Sequence, residues 1–536
     1  MIAEQAEARA PIDYKAMPVL GDIPRYFSRR APDEAAISFA GRTTSWRAFD
    51  VATDQVAHAL LAEGRPGDRV AYVGKNSDQF FELLFGIAKA GMVAVPIIWR
   101  LAVPEIAQVV RDSGARMLFL GPDQFERVAD LSAALPDFPP FVGLEEAHRG
   151  IRYFPEWRAA AETSAPLPKV AASDVAWQLY TSGTTGLPKG VMLSHANILA
   201  GRREAAGDTM PWNAWLPGDS SLVALPMGHI GGVGWGIVGF MNGARTVVHR
   251  EFNPAAVLDA IDRDGVSKLF LVPTTLQMLL AQPNIQQIDF SGLRHVLYGA
   301  SPIALDLLRE AARVFGCGFC QQYGATETCG TIVYLPPEDH DLDGNARMRG
   351  AGLPMPGVEL RIVAPEDRRV LGPNEVGEVE TRSVANMVGY WNQPEETART
   401  LLPDGWLRTG DAGYLDSDGY LFIHDRFKDM ICSGAENIYP AEVESAIYGH
   451  PAVQEVAVIG VPDEVWGEAV KAVIVPKAGA EVDPADIIAF ARTRIAPFKA
   501  PKSIDFVDAL PRNPSGKILR RVLREPYWAG RERRVN

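Results

Sequence analysis

The sequence predicts an α/β protein with a large N-terminal domain, made of two βαβαβ-type subdomains and a small β-rich subdomain, and a small α+β C-terminal domain. Three observations predict this class. Short apolar segments alternate with amphipathic helical patterns in residues 1–170 and again in residues 220–331, which is typical of parallel βαβ units. Residues 350–425 carry short strand patterns separated by frequent turns. After Arg426 helices and strands are mixed.

In the first region, apolar strand segments enclose helices that are polar on one side. The predicted strands are Asp68–Val73, Met92–Ile97 and Met117–Leu120, and the predicted helices are Gln79–Ala90 and Pro104–Ser113. This region has no cluster of reactive side chains, and we interpret it as a scaffold.

In the second region the alternation resumes with five short apolar segments. The predicted strands are Leu222–Leu225, Thr246–His249, Lys268–Val272, Arg294–Tyr298 and Gly318–Gln321. Ligand-binding loops of parallel sheets follow the carboxyl ends of the strands. We therefore expect the loops Pro226–His229, Gly299–Pro302 and Tyr323–Glu327 to meet at one crevice.

The C-terminal region begins with a helix predicted from Pro440, with Glu442 and Glu444 in the first turn, where the helix dipole favours acidic side chains. The later predicted elements are the strands Val456–Gly460 and Ala472–Pro476 and the helix Pro484–Ile495. A basic tail that contains Pro514–Lys517 follows.

The length and charge of the chain limit its partners. A chain of 536 residues is too long for one hydrophobic core. Its 53 Lys and Arg against 66 Asp and Glu give a net charge of −13, which argues against nucleic acid or an anionic membrane as a main partner. The start of the chain lacks the pattern of a secretory signal, and no apolar run is long enough for an integral membrane segment.

The four cysteines are too few to cross-link a chain of this size, so we expect a cytoplasmic protein. Cys317 and Cys320 form a CxxC pattern, but no second pair or histidine cluster completes a zinc site. Because the surrounding residues are apolar, a buried strand is the favoured interpretation.

The segment Tyr180–Gly190 is rich in glycine and small hydroxyl residues and follows a predicted buried strand, Asp174–Leu179. Backbone N–H groups of such a loop can surround an anion, and Lys189 adds a positive charge, so polyphosphate is the expected ligand. The loop is not a Walker A motif, since Pro188 stands where glycine is required and Lys189 is followed by Gly190. A Gly/Ser/Thr-rich linker is the alternative.

Seven motifs in a fixed order make the chain resemble the adenylate-forming superfamily of acyl-CoA synthetases, nonribosomal adenylation domains and luciferases, over residues 20–525. It is most similar to bacterial fatty-acyl-CoA synthetases. The motifs are Tyr180–Gly190, Leu225–Gly232, Gly299–Pro302, Tyr323–Glu327, Gly410–Asp411, Arg426–Ile431 with Ser433–Glu444, and Pro514–Lys517. The resemblance implies an N-terminal domain of residues 1–425, a hinge at 426–428 that contains Lys428, and a mobile C-terminal domain of residues 429–536.

The resemblance implies that these motifs bind ATP and Mg²⁺. Tyr323 offers a flat face to adenine, and Asp411 offers two acceptors to the ribose hydroxyls. Glu327 and Thr184 are the expected metal ligands. The full set of expected ATP-binding residues is Thr181, Ser182, Gly183, Thr184, Thr185, Lys189, Gly299, Ala300, Ser301, Gln322, Tyr323, Gly324, Thr326, Asp411, Arg426 and Lys517. Without the neighbouring motifs, the alternative interpretations are a core aromatic residue for Tyr323, a solvated carboxylate for Glu327 and a turn residue for Asp411.

The expected catalytic residues are Lys517, Glu327, Thr184 and His229. Attack of a carboxylate on the α-phosphate brings two anions together, and the ammonium group of Lys517 lowers that barrier. A lone lysine near the C-terminus is usually solvated and without a catalytic role. The motif Pro514–Lys517 instead favours a catalytic role for Lys517. We interpret His229 as a gate or pocket wall rather than a general base.

The resemblance places the acid in a pocket lined by His229, Gly231, Gly232, Trp235, Tyr298 and Ala325. Residues 223–244 contain no Asp or Glu, which disfavours an amino acid substrate because its ammonium group needs a counter-ion. The pocket is therefore expected to be apolar.

The expected coenzyme A site comprises Ser433, Gly434, Ala435, Trp466, Phe498 and Lys499. After the C-terminal domain rotates about Lys428, Gly434 is expected to line the thiol passage, where a Cβ atom would obstruct it. Trp466 and Phe498 have two alternative interpretations: they stack on the nucleotide of coenzyme A, or they pack in the core of the domain.

The sequence therefore predicts an ATP-dependent carboxylic acid–CoA ligase that forms acyl-AMP and pyrophosphate, and then acyl-CoA and AMP. The expected acid is a medium- or long-chain fatty acid, with an aryl or arylalkanoic acid as the alternative. A kinase, a P-loop ATPase and a catalytically silent nucleotide-binding module are distant alternatives, and a luciferase-like oxygenase is not excluded. The resemblance also admits a homodimer.

Overall fold

The structure, a computed structural model, describes residues 11–181, 188–204, 210–341, 343–434, 436–512 and 518–529. The side chains of Ala200, Glu204 and Lys428 lie outside this description.

The strands are numbered along the chain. They are β1 Ala35–Phe39, β2 Arg42–Ser45, β3 Arg69–Val73, β4 Val93–Ile97, β5 Ala115–Leu120, β6 Val142–Gly143, β7 Arg152–Tyr153, β8 Val175–Thr181, β9 Lys189–Ser194, β10 Ser220–Val223, β11 Arg245–Val248, β12 Lys268–Leu271, β13 His295–Gly299, β14 Gly318–Ala325, β15 Gly330–Leu335, β16 Leu353–Pro354, β17 Glu359–Val363, β18 Gly377–Arg382, β19 Gly389–Tyr390, β20 Leu407–Leu415, β21 Leu421–Arg426, β22 Ile431–Ser433, β23 Glu436–Ile438, β24 Val453–Asp463, β25 Gly467–Pro476 and β26 Ser503–Phe506.

The α-helices are numbered in the same way. They are α1 Asp22–Arg30, α2 Trp46–Glu63, α3 Asp78–Lys89, α4 Val103–Ser113, α5 Val128–Ala134, α6 Phe154–Ala159, α7 His195–Glu204, α8 Ile230–Met241, α9 Pro254–Arg263, α10 Pro273–Leu280, α11 Leu305–Phe315, α12 Pro394–Thr400, α13 Pro440–Tyr448, α14 Pro484–Arg492 and α15 Arg520–Trp528. Two short 3₁₀ helices, Thr326–Thr328 and Phe427–Asp429, matter for the site.

Two large sheets form the N-terminal domain. One has the order β19-β9-β8-β4-β3-β5-β6-β7 and the other β16-β15-β14-β13-β12-β10-β11-β1-β2. The pairs at the centre of both sheets are parallel, including β3 with β4 and β12 with β13. The predicted α/β class with two βαβαβ-type subdomains is therefore confirmed.

The β-rich subdomain contains a four-stranded antiparallel sheet in the order β17-β18-β20-β21. The C-terminal domain contains a further sheet in the order β23-β22-β25-β24, with β26 beside β25. Both agree with the predicted β-rich and α+β regions.

The structure corrects one predicted element and adds others that were not predicted. Strand β1 does not join the first sheet but pairs with β11, so that Ile37 lies opposite Thr246. Strand β24 runs over eleven residues rather than the five predicted, because it pairs along its whole length with β25. Helix α15 was not predicted, since Pro526 interrupts its pattern and its residues are mostly polar.

Helix α8 is the most apolar helix of the site region, and ten of its twelve residues are buried. Within the described residues no helix is long and apolar enough to cross a membrane. In the same part of the chain, no group of His, Cys, Asp and Glu side chains has the arrangement of a metal site. Cys320 is buried on β14, as the buried-strand interpretation of the CxxC pattern expected.

Candidate active site

The crevice forms at the carboxyl ends of β13 and β14, where Gly299 lies opposite Gln322 in the parallel register. A Cβ atom on Gly299 would lie 2.0 Å from the carbonyl oxygen of Gln322, so this approach of the two strands requires glycine. Gly324 is under the same constraint, because its Cβ atom would lie 1.8 Å from the carbonyl oxygen of Gly330. Close backbone contact thus brings Gly299 and Gln322 together at the crevice, and Gly324 lies two positions further along β14.

The loop after β13 begins with Ala300, whose φ of 66° lies in the left-handed region. A non-glycine residue in this region is strained by about 1–3 kcal/mol and is held there by its surroundings. Ser301 follows and is exposed. The loop therefore presents backbone and a hydroxyl group to the crevice in a fixed conformation.

Asp411 lies on β20 opposite Arg426 of β21, and its carboxylate is 3.5 Å from the Nε atom of Arg426. The hydroxyl of Tyr323 donates a 2.5 Å hydrogen bond to Oδ2 of Asp411. Burial, followed by the charge of Asp411, raises the pKa of Tyr323 well above its usual value, so the phenol keeps its proton. Three residues expected at the nucleoside are therefore in one cluster.

Glu327 lies in the 3₁₀ helix after β14, next to the buried Thr326. Its Oε1 atom accepts a hydrogen bond of 2.9 Å from the hydroxyl of Tyr390. Burial, followed by the charge of Glu327, raises the pKa of Tyr390. A hard carboxylate oxygen at the crevice fits Mg²⁺, which would organise the phosphate oxygens of the nucleotide. Tyr390 holds this carboxylate in position.

Thr181 and Lys189 face each other at the ends of β8 and β9. The ammonium group of Lys189 pairs with Glu396 of α12 and lies 5.1 Å from the centre of the Tyr390 ring. In this conformation the lysine expected at the phosphates is therefore bound to a carboxylate. The expected ligands Ser182, Gly183, Thr184 and Thr185 lie outside the described residues, as do Ala435 and Lys517.

His229 is the N-cap of α8, and its Nδ1 atom accepts a hydrogen bond of 3.2 Å from the N–H of Gly231. An accepting Nδ1 carries no proton, so this contact fixes the neutral tautomer with the proton on Nε2. Gly232 allows the tight entry into the helix, because its Cβ atom would lie 2.2 Å from the carbonyl oxygen of Pro226. Nδ1 of His229 is therefore engaged in capping α8, and its role as a gate or pocket wall stays a prediction.

Helix α8 covers one face of the second sheet, here called the α8 face. Trp235 packs there, with its ring 6.5 Å from that of Phe270 on β12, and its indole N–H donates to the carbonyl oxygen of Leu222 at 3.0 Å. Leu297 of β13 belongs to the same buried cluster. Phe270 was not predicted, although its alternation with the buried Leu269 and Leu271 marks it as facing away from them.

Tyr298 does not join the α8 face. It is fully buried among the side chains of the opposite face of the sheet, and its hydroxyl lies 2.9 Å from Nε2 of His340. Adjacent residues of a strand point to opposite faces, so Leu297 rather than Tyr298 lies on the side of Trp235. Tyr298 therefore does not line the pocket in this conformation, whereas the half-buried Ala325 ends β14 beside the crevice.

Ser433, Gly434 and Trp466 of the predicted coenzyme A site are close together. Ser433 of β22 pairs with Gly467, and the N–H of Gly434 donates to the carbonyl oxygen of Trp466 at 2.9 Å. Gly434 has a φ of 61°, and its Cβ atom would lie 2.5 Å from the Trp466 ring. The side chain of Trp466 is 48% exposed, so its other surface is open to a stacking ligand.

Phe498 is 44% exposed, whereas Lys499 is bound by both oxygens of Glu442 at 2.8 Å. The charge that lies near Trp466 is instead Lys502, 5.6 Å from the centre of the ring. In this conformation Lys499 therefore forms an ion pair with Glu442 of its own domain.

The predicted hinge residue Lys428 lies in the 3₁₀ helix Phe427–Asp429. On one side of it, Asp425 is 3.7 Å from Arg520 of α15, which also binds both oxygens of Glu444. Burial, followed by the charge of Glu444, raises the pKa of Asp425 to about 6 against the lowering effect of Arg520. On the other side, Asp429 is 3.7 Å from Arg524.

The cluster of Tyr323, Asp411 and Arg426, with the carboxylate of Glu327 at the same crevice, has the arrangement that the resemblance to adenylate-forming enzymes implies. A family model described as AMP-binding enzyme matches residues 25–391, and one described as AMP-binding enzyme C-terminal domain matches residues 442–517. The chain belongs to the AMP-binding enzyme family.

Named relatives agree with this assignment. The chain is 44% identical to the fatty acid–[acyl-carrier-protein] ligase ScoC of Streptomyces coeruleorubidus, over 95% of this chain and 97% of that protein. It is 38% identical to a feruloyl-CoA synthase of an Amycolatopsis species, over 95% and 99%. The crystal structure of ATP-bound MatB from Rhodopseudomonas palustris superimposes with a TM-score of 0.85 at 31% identity, over 95% and 99%.

These comparisons confirm the predicted class, an AMP-forming acid–thiol ligase that uses ATP, Mg²⁺ and coenzyme A. The names of the relatives include different acids, so the comparisons leave the acid unidentified. The sequence analysis missed Tyr390, Glu396 and Phe270. Tyr390 and Glu396 could not be found from local patterns, because they contact Glu327 and Lys189 across 63 and 207 positions of the chain.

Proposed function

We propose that the protein converts an aryl or arylalkanoic acid to its coenzyme A thioester through an acyl-adenylate. The observation that carries this proposal is the aromatic lining of the α8 face. Trp212, Trp215, Phe270 and Tyr334 are only partly buried there, although they pack against the main core. Aromatic rings with open surface favour a flat ring by stacking.

A medium- or long-chain fatty acid is the second candidate. It is supported by the 44% identity to a ligase named for fatty acids. Because the acceptor in that name is an acyl carrier protein, the same relative makes an acyl carrier protein the alternative to coenzyme A.

In the proposed mechanism, Asp411 and Tyr323 hold the nucleoside, and Glu327 faces the phosphates. Lys517 lies between the carboxylate of the acid and the α-phosphate and offsets the repulsion between them. In the second step the C-terminal domain brings Gly434 to the crevice for entry of the thiol. A cytoplasmic location and a homodimer are further parts of the proposal.

The test is a panel of cinnamic, phenylacetic, benzoic, octanoic and hexadecanoic acids, assayed for pyrophosphate release with and without coenzyme A. We expect coenzyme A-dependent AMP formation with at least one aromatic acid at a higher kcat/KM than with either fatty acid. A higher kcat/KM for octanoic or hexadecanoic acid than for every aromatic acid would favour the second candidate.

The role of Lys517 is tested separately. Lys517→Ala is expected to abolish adenylate formation from acid and ATP but to retain much of the thioester formation from supplied acyl-AMP. Equal loss of both half-reactions would contradict this role.

A further inference from the structure

A buried lysine lies at the amino end of the α8 face, far from the nucleotide crevice. Lys268 is 1% exposed and begins β12. Its ammonium group donates to the carbonyl oxygens of Asn213 and Ala214 at 3.2 and 2.7 Å, and lies 4.7 Å from the centre of the Trp215 ring. An ammonium group has three N–H donors, so these two hydrogen bonds do not use its full capacity.

His295 lies beside this lysine, opposite Lys268 in the parallel register of β12 and β13. Its ring packs over Gly318 of β14, where an added Cβ atom would lie 2.7 Å from Cδ2 and 3.1 Å from Nε2 of the histidine. The edge of the ring that carries Nδ1 is therefore turned away from Gly318. Within the described residues, Nδ1 of His295 and Nε1 of Trp215 are buried and have no hydrogen-bond partner.

The carboxylate of Asp219 acts on the charge of Lys268 but is engaged by other partners. Asp219 is bound by Arg294, through Nε at 3.1 Å and a second nitrogen, and by the hydroxyl of Ser267 at 2.9 Å. Burial, followed by the positive charge of Arg294, lowers the pKa of Lys268 to about 7. Unsatisfied buried polar groups are costly, so the unpaired Nε1 of Trp215 and Nδ1 of His295, beside the unused donor capacity of Lys268, point to an absent polar ligand.

The position of the cluster matches the far end of an acid in the crevice. Gly299 at the crevice and His295 lie four positions apart on β13, which corresponds to roughly 13 Å along a strand. Leu297 and Phe270 lie on the same face between them. An acid whose carboxylate is at the crevice would follow this apolar stretch and end at Lys268 and His295.

We propose that Lys268 and His295 form a distal subsite of the acid pocket that binds an oxygen atom at the far end of the substrate. The shared chemistry is a hydrogen-bond-accepting oxygen, as in a phenol or a second carboxylate. The inference rests on the proposed function, because it assumes that the acid occupies the α8 face. Lys268 and His295 are substrate-binding residues in this proposal and take no part in the bond-forming steps.

Lys268 also holds the segment Asn213–Ala214 over the sheet, and a purely structural role would affect all acids equally. The measurement is therefore a ratio of kcat/KM values within one protein preparation, which does not depend on the active fraction. The substrate pairs are 4-hydroxycinnamate with cinnamate and decanedioate with decanoate. Pyrophosphate release is followed for the wild type, Lys268→Met and His295→Phe.

We expect the wild type to prefer the oxygen-bearing acid at least about tenfold in one of the two pairs, and this pair identifies the source of the oxygen. Each variant is expected to reduce that ratio to within about threefold of unity while it still converts the unsubstituted acid. His340→Phe is the matched control, since His340 is a half-buried histidine that contacts Tyr298 on the opposite face of the same sheet, and its ratio should equal that of the wild type.

A wild type without preference in both pairs overturns the inference, and so does a preference that survives in both variants. Loss of the preference in His340→Phe as well would show that it depends on general packing, which also overturns it. Absence of pyrophosphate release from every acid refutes the proposed function itself, and with it the subsite.

Discussion

Tyr323 and Asp411, which are 88 positions apart in the chain, are joined by a hydrogen bond of 2.5 Å from the tyrosine hydroxyl to the aspartate. The aspartate expected at the ribose is therefore oriented by the tyrosine expected at adenine. Arg426 completes this arrangement from the neighbouring strand.

Asp411→Ala is expected to raise the KM for ATP roughly ten- to hundredfold, because hydrogen bonds to a charged group contribute about 1.5–3 kcal/mol. Tyr323→Phe keeps the ring and removes only the hydroxyl, so it should raise this KM less. Steady-state pyrophosphate release at saturating acid measures both. An unaltered KM in Asp411→Ala would mean that another carboxylate binds the ribose.

The pair of Lys189 with Glu396 predicts a gain of ATP affinity on removal of the carboxylate charge. Lys189 has to leave Glu396 in order to bind a phosphate, and a partly exposed ion pair contributes up to about 1 kcal/mol. Glu396→Gln is therefore expected to lower the KM for ATP by roughly two- to fivefold, whereas Lys189→Met should raise it. Glu395→Gln, on the exposed side of α12, is the control and should leave the KM unchanged. A higher KM in Glu396→Gln would contradict the competition.

Two explanations are available for the presence of glycine at position 434, an open thiol passage and close packing against Trp466. Gly434→Ala is expected to spare pyrophosphate release and to slow thioester formation at least about tenfold, because its methyl group obstructs the thiol passage. The alternative cause is the clash with the Trp466 ring, 2.5 Å from the added Cβ atom.

The double variant Gly434→Ala/Trp466→Ala removes that clash. If the passage is the cause, the double variant remains as slow as Gly434→Ala in a single-turnover assay with supplied acyl-AMP. Recovery to the rate of Trp466→Ala alone would instead assign the glycine to local packing.

The raised pKa of Asp425 predicts a pH-dependent stability. The folded pKa of about 6 lies above the usual 3.8, so the folded state binds this proton more tightly. The stabilisation is therefore complete below about pH 4 and is lost as the pH rises through 6. Asp425→Asn should raise the free energy of unfolding at pH 8 by on the order of 1–3 kcal/mol relative to the wild type, and by less at pH 5.

Differential scanning calorimetry at the two pH values measures this effect as a difference in Tm. Asp429→Asn is the control, since its carboxylate also faces an arginine of α15 but is more exposed, 21% against 8%. An equal Tm difference for Asp425→Asn at pH 5 and pH 8 would exclude the proton linkage.

The sequence predicted the class, the two βαβ regions and the meeting of the Gly299 and Tyr323 loops, because these follow from periodicity and from the polarity of parallel strands. It could not predict that β1 crosses to the second sheet, since an isolated apolar strand carries no information on its partner. The placement of Tyr298 in the pocket was wrong for a related reason, since its neighbour Leu297 faces α8. Alternation along a strand shows that the two residues face apart but not which of them faces α8.

The side chains that contact the site residues could not be predicted from the sequence either. Tyr390 and Glu396 lie in a turn-rich segment with no pattern that links them to Glu327 or Lys189. Such contacts depend on β19 joining the first sheet beside β9, a long-range pairing that no local spacing encodes. The roles of Lys517, Thr184 and Ala435 and the position of the hinge at Lys428 stay predictions.

Arg520 has one acidic partner on each side of the predicted pivot. Asp425 precedes Lys428, whereas Glu444 belongs to the same domain as the arginine itself. A turn of the last hundred residues would leave the first carboxylate behind and take the second one along. The guanidinium group is thus never stranded without a counter-charge, and the molecule can change its shape without exposing a lone buried cation to an apolar interior.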